Sequence, residues 1–210
     1  MYVTLPGTKP EIAYAMRSVM PLGDSITLGY PDNVGGWRKP VIAEHPLLSS
    51  VGTQLDSTGI PASQKHEGFG GRNSGSALAG VASWYGAWPA SIVLLQLGTN
   101  DLTGYPAPLY TEAQYATQMR GVVDIIRGIN ANVRIFIGKL PYPKLGVYPV
   151  SVIDSYRAAL SAAVAGVANL SEVDFPQLPD SGFADALHPN AAGYAAMAVT
   201  WSAALSAAGY

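Results

Sequence analysis

Short unbroken apolar runs alternate along this chain with longer stretches in which apolar residues recur three or four positions apart. The clearest run is Ser91–Leu97, SIVLLQL, with five apolar residues out of seven and no polar alternation. Runs of that kind fit strands covered on both faces, as in parallel sheets. Arg17–Leu22 (RSVMPL), Leu47–Thr53 (LLSSVGT) and Asn132–Ile137 (NVRIFI) read as further strands, and Leu170–Phe175 as a short strand or turn. Between them, Thr111–Ile129 is amphipathic: Val122, Val123, Ile125, Ile126 and Ile129 form one apolar face of a helix. Helices are also predicted over Gly35–Pro46, Ser76–Trp84, Ser151–Asn169 and Asn190–Ala208. Pro40 suits the first turn of the first of these, and Pro46 stops it. Residues 1–16 read as irregular, residues 54–75 as a Gly-rich polar loop, and Leu140–Pro149 as a Pro-rich loop.

Strands that alternate with helices require crossover connections, hence a parallel sheet with helices on both faces. No linker or internal repeat interrupts the pattern, so residues 1–210 read as one α/β domain. Ligands of such sheets bind beyond the carboxyl ends of the strands. Ser25, Asn100 and the loop 139–149 all follow predicted strands and should share that edge.

Composition narrows the function classes. Apolar residues make up 49% of the 210 and charged residues only 12%, which describes a globular chain able to bury a core. Net charge is −2 with Lys and Arg scattered, so nucleic acid is not an expected partner. The absence of cysteine excludes disulfides, thiolate metal sites and a cysteine nucleophile. No run reaches the roughly 20 apolar residues of a membrane span. The first residues lack the pattern of a signal peptide, although secretion after removal of a signal stays open. Oligomeric state is not readable.

The chemistry-bearing residues are few. Ser25, in GDSIT, follows a strand and starts a helix, and is either a capping residue or a nucleophile. Of three histidines, His188 alone has an acid, Asp185, three residues before it near the C-terminal end. That spacing lets a carboxylate hold the imidazole Nδ1–H and leave Nε2 as a base; the alternative is a plain turn before a helix. Asn100, in GTND, could donate to an oxyanion or form an Asx turn. The glycines of HEGFGG, His66–Gly71, suit either a close approach of backbone N–H to a reacting atom or a plain loop. The histidines lie too far apart in sequence for a metal-binding H-x-x-x-H pair.

Taken in order, GDSIT, HEGFGG, GTND and DALHP resemble the four sequence blocks of the SGNH hydrolases, also called GDSL esterases, from Met20 to about Met197. The resemblance implies a flavodoxin-like three-layer α/β/α sandwich with a central parallel sheet. It implies Ser25 as nucleophile, His188 as base and Asp185 as its orienting acid. It implies an oxyanion hole from the Ser25 N–H, the Gly71 N–H and the Asn100 side chain, and no metal or organic cofactor. Gly71 matches the family pattern E-G-x-x-G at Glu67–Gly71, while Arg72 stands where the family usually has an aromatic residue. MPLGDSIT, GGWR at Gly35–Arg38, SVGT at Ser50–Thr53 and HEGFGG are similar to the acetyl xylan esterase branch, with Pro40 and Pro46 as departures.

The implied activity is hydrolysis of short-chain carboxylic esters, acetyl or butyryl, including acetylated carbohydrate. The family also contains lipases, lysophospholipases and acyltransferases. A non-catalytic carbohydrate-binding module on the same scaffold is the alternative of another class. Candidate substrate contacts are Asp24, Trp37, Arg38, Glu67, Arg72 and Tyr142. Trp84, Tyr85, Trp88, Tyr105, Tyr110 and Tyr148 could also stack on sugar rings or simply pack. His66 and Glu67 either touch substrate or order their loop.

Overall fold

A computed structural model describes residues 16–31, 35–56 and 64–210. The irregular segment expected at residues 1–16 lies, Met16 apart, outside these. Among the described residues seven strands form one sheet: β1 (Arg17–Gly23), β2 (Leu48–Ser50), β3 (Gln54–Leu55), β4 (Lys65–Gly68), β5 (Ile92–Gln96), β6 (Arg134–Gly138) and β7 (Leu170–Val173). The path across it is β3-β4-β1-β5-β6-β7, and β2 pairs with the first half of β1. Every pairing is parallel except β3 with β4. The six described helices are α1 (Ser25–Leu28), α2 (Arg38–Glu44), α3 (Ser74–Ala87), α4 (Glu112–Ile129), α5 (Val150–Val164) and α6 (Ala191–Ala207).

The strands alternate their side chains between two cores, as the period of two demands. Val93 and Leu95 of β5 join Ile135, Ile137, Val81, Met119, Val122, Ile126 and Leu160 beneath α3, α4 and α5. Ile92 and Leu94 join Phe136, Trp37, Val41, Met197, Trp201 and Leu205 beneath α2 and α6. Every residue of β5 is buried, which is why that segment reads as an unbroken apolar run. The sheet flanked by helices expected from the strand–helix alternation, and the three-layer α/β/α sandwich that the resemblance implies, are the observed architecture, with β3 as the antiparallel departure. None of the described helices is long and apolar enough to cross a membrane.

The predicted elements differ from the observed ones in instructive places. The helix expected over Gly35–Pro46 contracts to Arg38–Glu44, because Gly35 and Gly36 take positive φ values of 102° and 45° that a helix cannot contain. The helix expected from Ser151 to Asn169 ends at Val164, since alanine marks helix propensity but supplies no stop. The loop expected over 54–75 contains β3, β4 and the start of α3. Strand β4 is KHEG, and its buried His66 and Glu67 leave no apolar run to see. Their burial is supported by hydrogen-bonded partners instead. Segment boundaries of α3, α4 and α6 are set by side-chain caps at Asn73, Thr111 and Asn190.

Candidate active site

Three strand ends meet in register. Gly23, the last residue of β1, pairs with Gly68 of β4 on one side and with Gln96 of β5 on the other. Just beyond it the chain turns sharply into α1. Asp24 caps that turn, its Oδ1 accepting the Ile26 N–H at 2.9 Å. Position 23 has no room for a side chain: a Cβ would stand 2.1 Å from Thr27 Oγ1 and 2.4 Å from the Gln96 carbonyl. The single turn of α1 is clamped from outside by Arg38. Its guanidinium donates to the Thr27 carbonyl at 2.6 Å, to the Leu28 carbonyl at 3.1 Å, and through both oxygens to Asp56 at 2.9 and 3.0 Å. Ser25 is thereby held on a fixed turn at the carboxyl edge, 9% exposed.

Across from it, the segment before α6 folds on itself. Phe183 and Pro189 form an antiparallel bridge, and the Ala184 N–H donates to the His188 carbonyl. Asp185 holds both the backbone and the ring of the histidine. Its Oδ1 accepts the N–H groups of Leu187 and His188 at 2.8 and 2.7 Å, and its Oδ2 lies 2.8 Å from His188 Nδ1. Partial burial works to raise the Asp185 pKa, but those two N–H groups and the imidazole outweigh it and hold the carboxyl below its ordinary range. An ionised carboxylate only accepts, so Nδ1 carries the proton and Nε2 faces outward with a lone pair. Ser25 Oγ is 2.9 Å from that Nε2. The ring of Tyr30 leans on the imidazole, with centroids 4.5 Å apart.

The loop after β4 is bound to the same edge. The Phe69 N–H donates to the Gly23 carbonyl, and Gly71 takes φ +77°, a left-handed conformation suited to glycine. Asn100 lies in a 3₁₀ turn after β5, and its Nδ2 donates to the Arg72 carbonyl at 2.9 Å. One amide hydrogen is thus committed to the glycine loop, which fixes the plane of the other. Arg72 is itself enclosed: it donates to the Glu67 carbonyl and to Glu67 Oε1, and its guanidinium lies 3.8 Å from the centre of the Trp84 ring. Glu67 Oε2 accepts from the backbone and hydroxyl of Thr53 at 3.0 and 2.7 Å.

Two further carboxyls sit beneath the site. Burial raises Asp24 to about 6 against the opposing Ile26 N–H and the nearby His188. Burial also raises Asp101 to about 6, although the Ser74 hydroxyl and N–H bind its carboxylate. Neither reaches solvent.

The structure therefore brings together Ser25, His188 and Asp185, and joins the Asn100 and Gly71 segments through Arg72. It corrects four of the candidate substrate contacts. Asp24, Trp37, Arg38 and Glu67 are 1%, 0%, 1% and 0% exposed, enclosed by protein and engaged in capping, packing, clamping and ordering a loop. Tyr85 is equally buried, and Tyr105 packs edge-on against Tyr148. His66 and Glu67 order their loop. Gly71 and Arg72 line an open recess of about 430 Å³ with Phe69, Asn73 and Gln54, and Glu67 lies buried behind it. Tyr142 is partly exposed and borders two small cavities beside Ile26 and Leu187. Sequence reasoning missed Tyr30. The signal was Gly29, whose left-handed turn ends α1 after one turn and sends the next side chain back across the site.

Comparison with known proteins agrees with this geometry. The GDSL-like Lipase/Acylhydrolase family profile matches residues 22–196. No curated protein matches the chain. Among solved structures, the fold is similar to a carbohydrate esterase family 3 protein from Talaromyces cellulolyticus, with TM-score 0.78, 22% identity, 92% of this chain and 98% of that one covered. It is similar to a Clostridium thermocellum family 3 carbohydrate esterase, with TM-score 0.70, 24% identity and coverage of 88% and 92%. It is also similar to an acetyl esterase mutant crystallised with an acetate ion, with TM-score 0.75, 22% identity and coverage of 92% and 98%. With a family profile spanning most of its length and the hydrolase sandwich beneath it, the chain belongs to the GDSL-like lipase/acylhydrolase family and is a carboxylic ester hydrolase.

Proposed function

We propose that the chain is a serine esterase that hydrolyses short-chain carboxylic esters, with acetylated carbohydrate as its natural substrate class. One observation carries the reading: Ser25 Oγ, His188 Nε2, His188 Nδ1 and Asp185 Oδ2 form a continuous chain of contacts of 2.9 and 2.8 Å. Ser25 Oγ attacks the ester carbonyl as Nε2 takes its proton, and Asp185 stabilises the imidazolium that results. The tetrahedral oxyanion is received by the N–H groups of Ser25 and Gly71 and by the free amide hydrogen of Asn100. His188 then protonates the leaving alcohol. A water molecule, deprotonated by the same nitrogen, attacks the acyl-enzyme and releases the acid.

The short acyl preference is supported by the likeness to an acetyl esterase mutant crystallised with an acetate ion. The carbohydrate class is supported by the open recess on the Gly71 flank, where Gln54, Asn73 and Ser76 stand beside Phe69 and Trp84, and by the likeness to family 3 carbohydrate esterases. The test is hydrolysis of p-nitrophenyl acetate, butyrate, hexanoate and octanoate by wild type and Ser25→Ala. Activity that favours acetate or butyrate and vanishes in Ser25→Ala supports the reading. A wild type that is folded but inactive refutes it, and a preference for octanoate moves the enzyme to the lipases of its family.

A further inference from the structure

We infer that Arg72 is a positioning residue of the oxyanion hole: its side chain locks the backbone carbonyl that orients the Asn100 amide, an inference that rests on the esterase reading above. Arg72 closes the glycine loop. Its guanidinium donates back to the residue before Gly68, to the Glu67 carbonyl and to Glu67 Oε1 at 2.9 Å. The bracketed segment, residues 68–71, holds three glycines, and glycine gives up the most backbone freedom when its conformation is fixed. A loop of that composition keeps one shape only if its ends are held. The same guanidinium reaches the Gly23 carbonyl at 3.4 Å, two residues before Ser25. The Arg72 carbonyl accepts Asn100 Nδ2 at 2.9 Å. One residue thus touches the strand end before the nucleophile, the strand before the glycine loop, and the oxyanion amide.

The side chain is itself held in place. Arg72 is buried, with the Trp84 ring 3.8 Å from its guanidinium and the Phe69 ring at 5.7 Å. Its partner Glu67 is gripped from behind by the N–H and hydroxyl of Thr53. A second stitch joins the same two loops: the Ser74 N–H and hydroxyl bind the Asp101 carboxylate. That stitch sets how far apart the loops lie. The Arg72 carbonyl sets the direction of the Asn100 amide, because it takes one of the two amide hydrogens and leaves the other for the oxyanion. An oxyanion donor is worth most when its direction is set before the reaction begins. The resemblance leads to an aromatic ring at position 72. A ring could pack beside Trp84, but it carries no charge to set against the buried Glu67.

The experiment measures kcat and KM for p-nitrophenyl acetate in wild type, Arg72→Gln, Arg72→Lys and Asn100→Ala, and in each Arg72 variant combined with Asn100→Ala, with folding checked by circular dichroism. Every substitution keeps the backbone carbonyl, so what is tested is the side chain that fixes it. Arg72→Gln is expected to lower kcat by about 10- to 100-fold, the scale of a displacement of about 1 Å, while KM stays within about threefold. Arg72→Lys keeps a charge opposite Glu67 but loses the planar fork, and should recover part of the loss. With Asn100 already alanine, both changes should cost little more, since the amide they position is gone. Should Arg72→Gln fail to fold, Arg72→Lys carries the same reading through its own pair of backgrounds. A folded Arg72→Gln with wild-type kcat overturns the inference. So does a loss that is undiminished in the Asn100→Ala background, which is what a merely structural role would give. An inactive wild type overturns the esterase reading instead, so the two failures are separate results.

Discussion

His66 and His188 each face an aspartate, at 3.1 Å and 2.8 Å. They differ in what the second ring nitrogen does. His66 Nδ1 accepts the Gly68 N–H at 3.1 Å, which leaves Nε2 to carry the hydrogen donated to Asp56. Both nitrogens are spent inside the protein, and the ring is 1% exposed. Burial pushes its pKa down, and the Arg38 charge adds to this against the pull of Asp56. His66 is a neutral strut. His188 gives the aspartate its other nitrogen and keeps Nε2 at the surface against Ser25 Oγ. The same two residue types thus make a fixed joint in one place and, in the proposed mechanism, a proton carrier in the other.

Removing the second pair or the groups it works with should have the largest effects. Ser25→Ala or His188→Ala is expected to lower kcat for p-nitrophenyl acetate by about 10⁴-fold or more, with the fold intact by circular dichroism. Asp185→Asn releases the tautomer and should cost about 10³–10⁴-fold. Asn100→Ala removes one oxyanion donor and should cost about 10²–10³-fold, in kcat rather than KM. Near-normal turnover in any of these variants would remove the residue from the proposed mechanism.

The first pair should respond in stability instead. Asp56→Ala leaves the buried Arg38 without its carboxylate, a loss of about 3–5 kcal/mol. The melting temperature is expected to fall by on the order of 10 °C. His66→Gln should destabilise less, while kcat stays within several-fold of wild type. A hundred-fold loss of kcat in folded His66→Gln would mean that the buried pair takes part in the chemistry after all.

The smallest effect concerns pH. The folded-state pKa of Asp24 and Asp101 is about 6, against an ordinary 3.8. Between those values the folded protein holds protons that the unfolded chain has lost, so these two groups make stability fall as pH rises from about 4 to 6. Asp56 and Asp185 have lowered values. Their contribution is present above the unfolded value and is lost below it as pH falls. Asp24→Asn keeps the cap acceptor but removes the titration, and should flatten the denaturation free energy between pH 4 and 6 by about 1–3 kcal/mol. An unchanged slope would show that Asp24 is already ionised in that range.

The sequence made the alternating architecture legible because parallel strands, buried on both faces, must be written in apolar residues. Val93, Leu94 and Leu95 could hardly be anything else. It made the Ser, Asn and His segments legible because the chemistry restricts residue type at strand ends. Strand β4 was invisible for the opposite reason. His66 and Glu67 are buried through specific partners, Asp56, Arg72 and Thr53, and partners distant in sequence leave no periodic trace. The same holds for Arg38 and Trp37. Their position near Ser25 was readable from GGWR, but whether they faced substrate or core depended on packing against Trp201 and Asp56.

The register at Gly23 has a consequence for anyone who would rebuild this enzyme. Ser25, Gly71 and Asn100 each lie within four residues of a single rung of the sheet, Gly68–Gly23–Gln96, whose spacing is set by backbone hydrogen bonds. The loops that would choose the substrate, at 104–110 and 141–149, leave the same edge farther out. The loop at 141–149 is also tied to the segment that carries the histidine, its Lys144 N–H donating to the Ala186 carbonyl between Asp185 and His188, so exchanging it would move the imidazole as well as the rim.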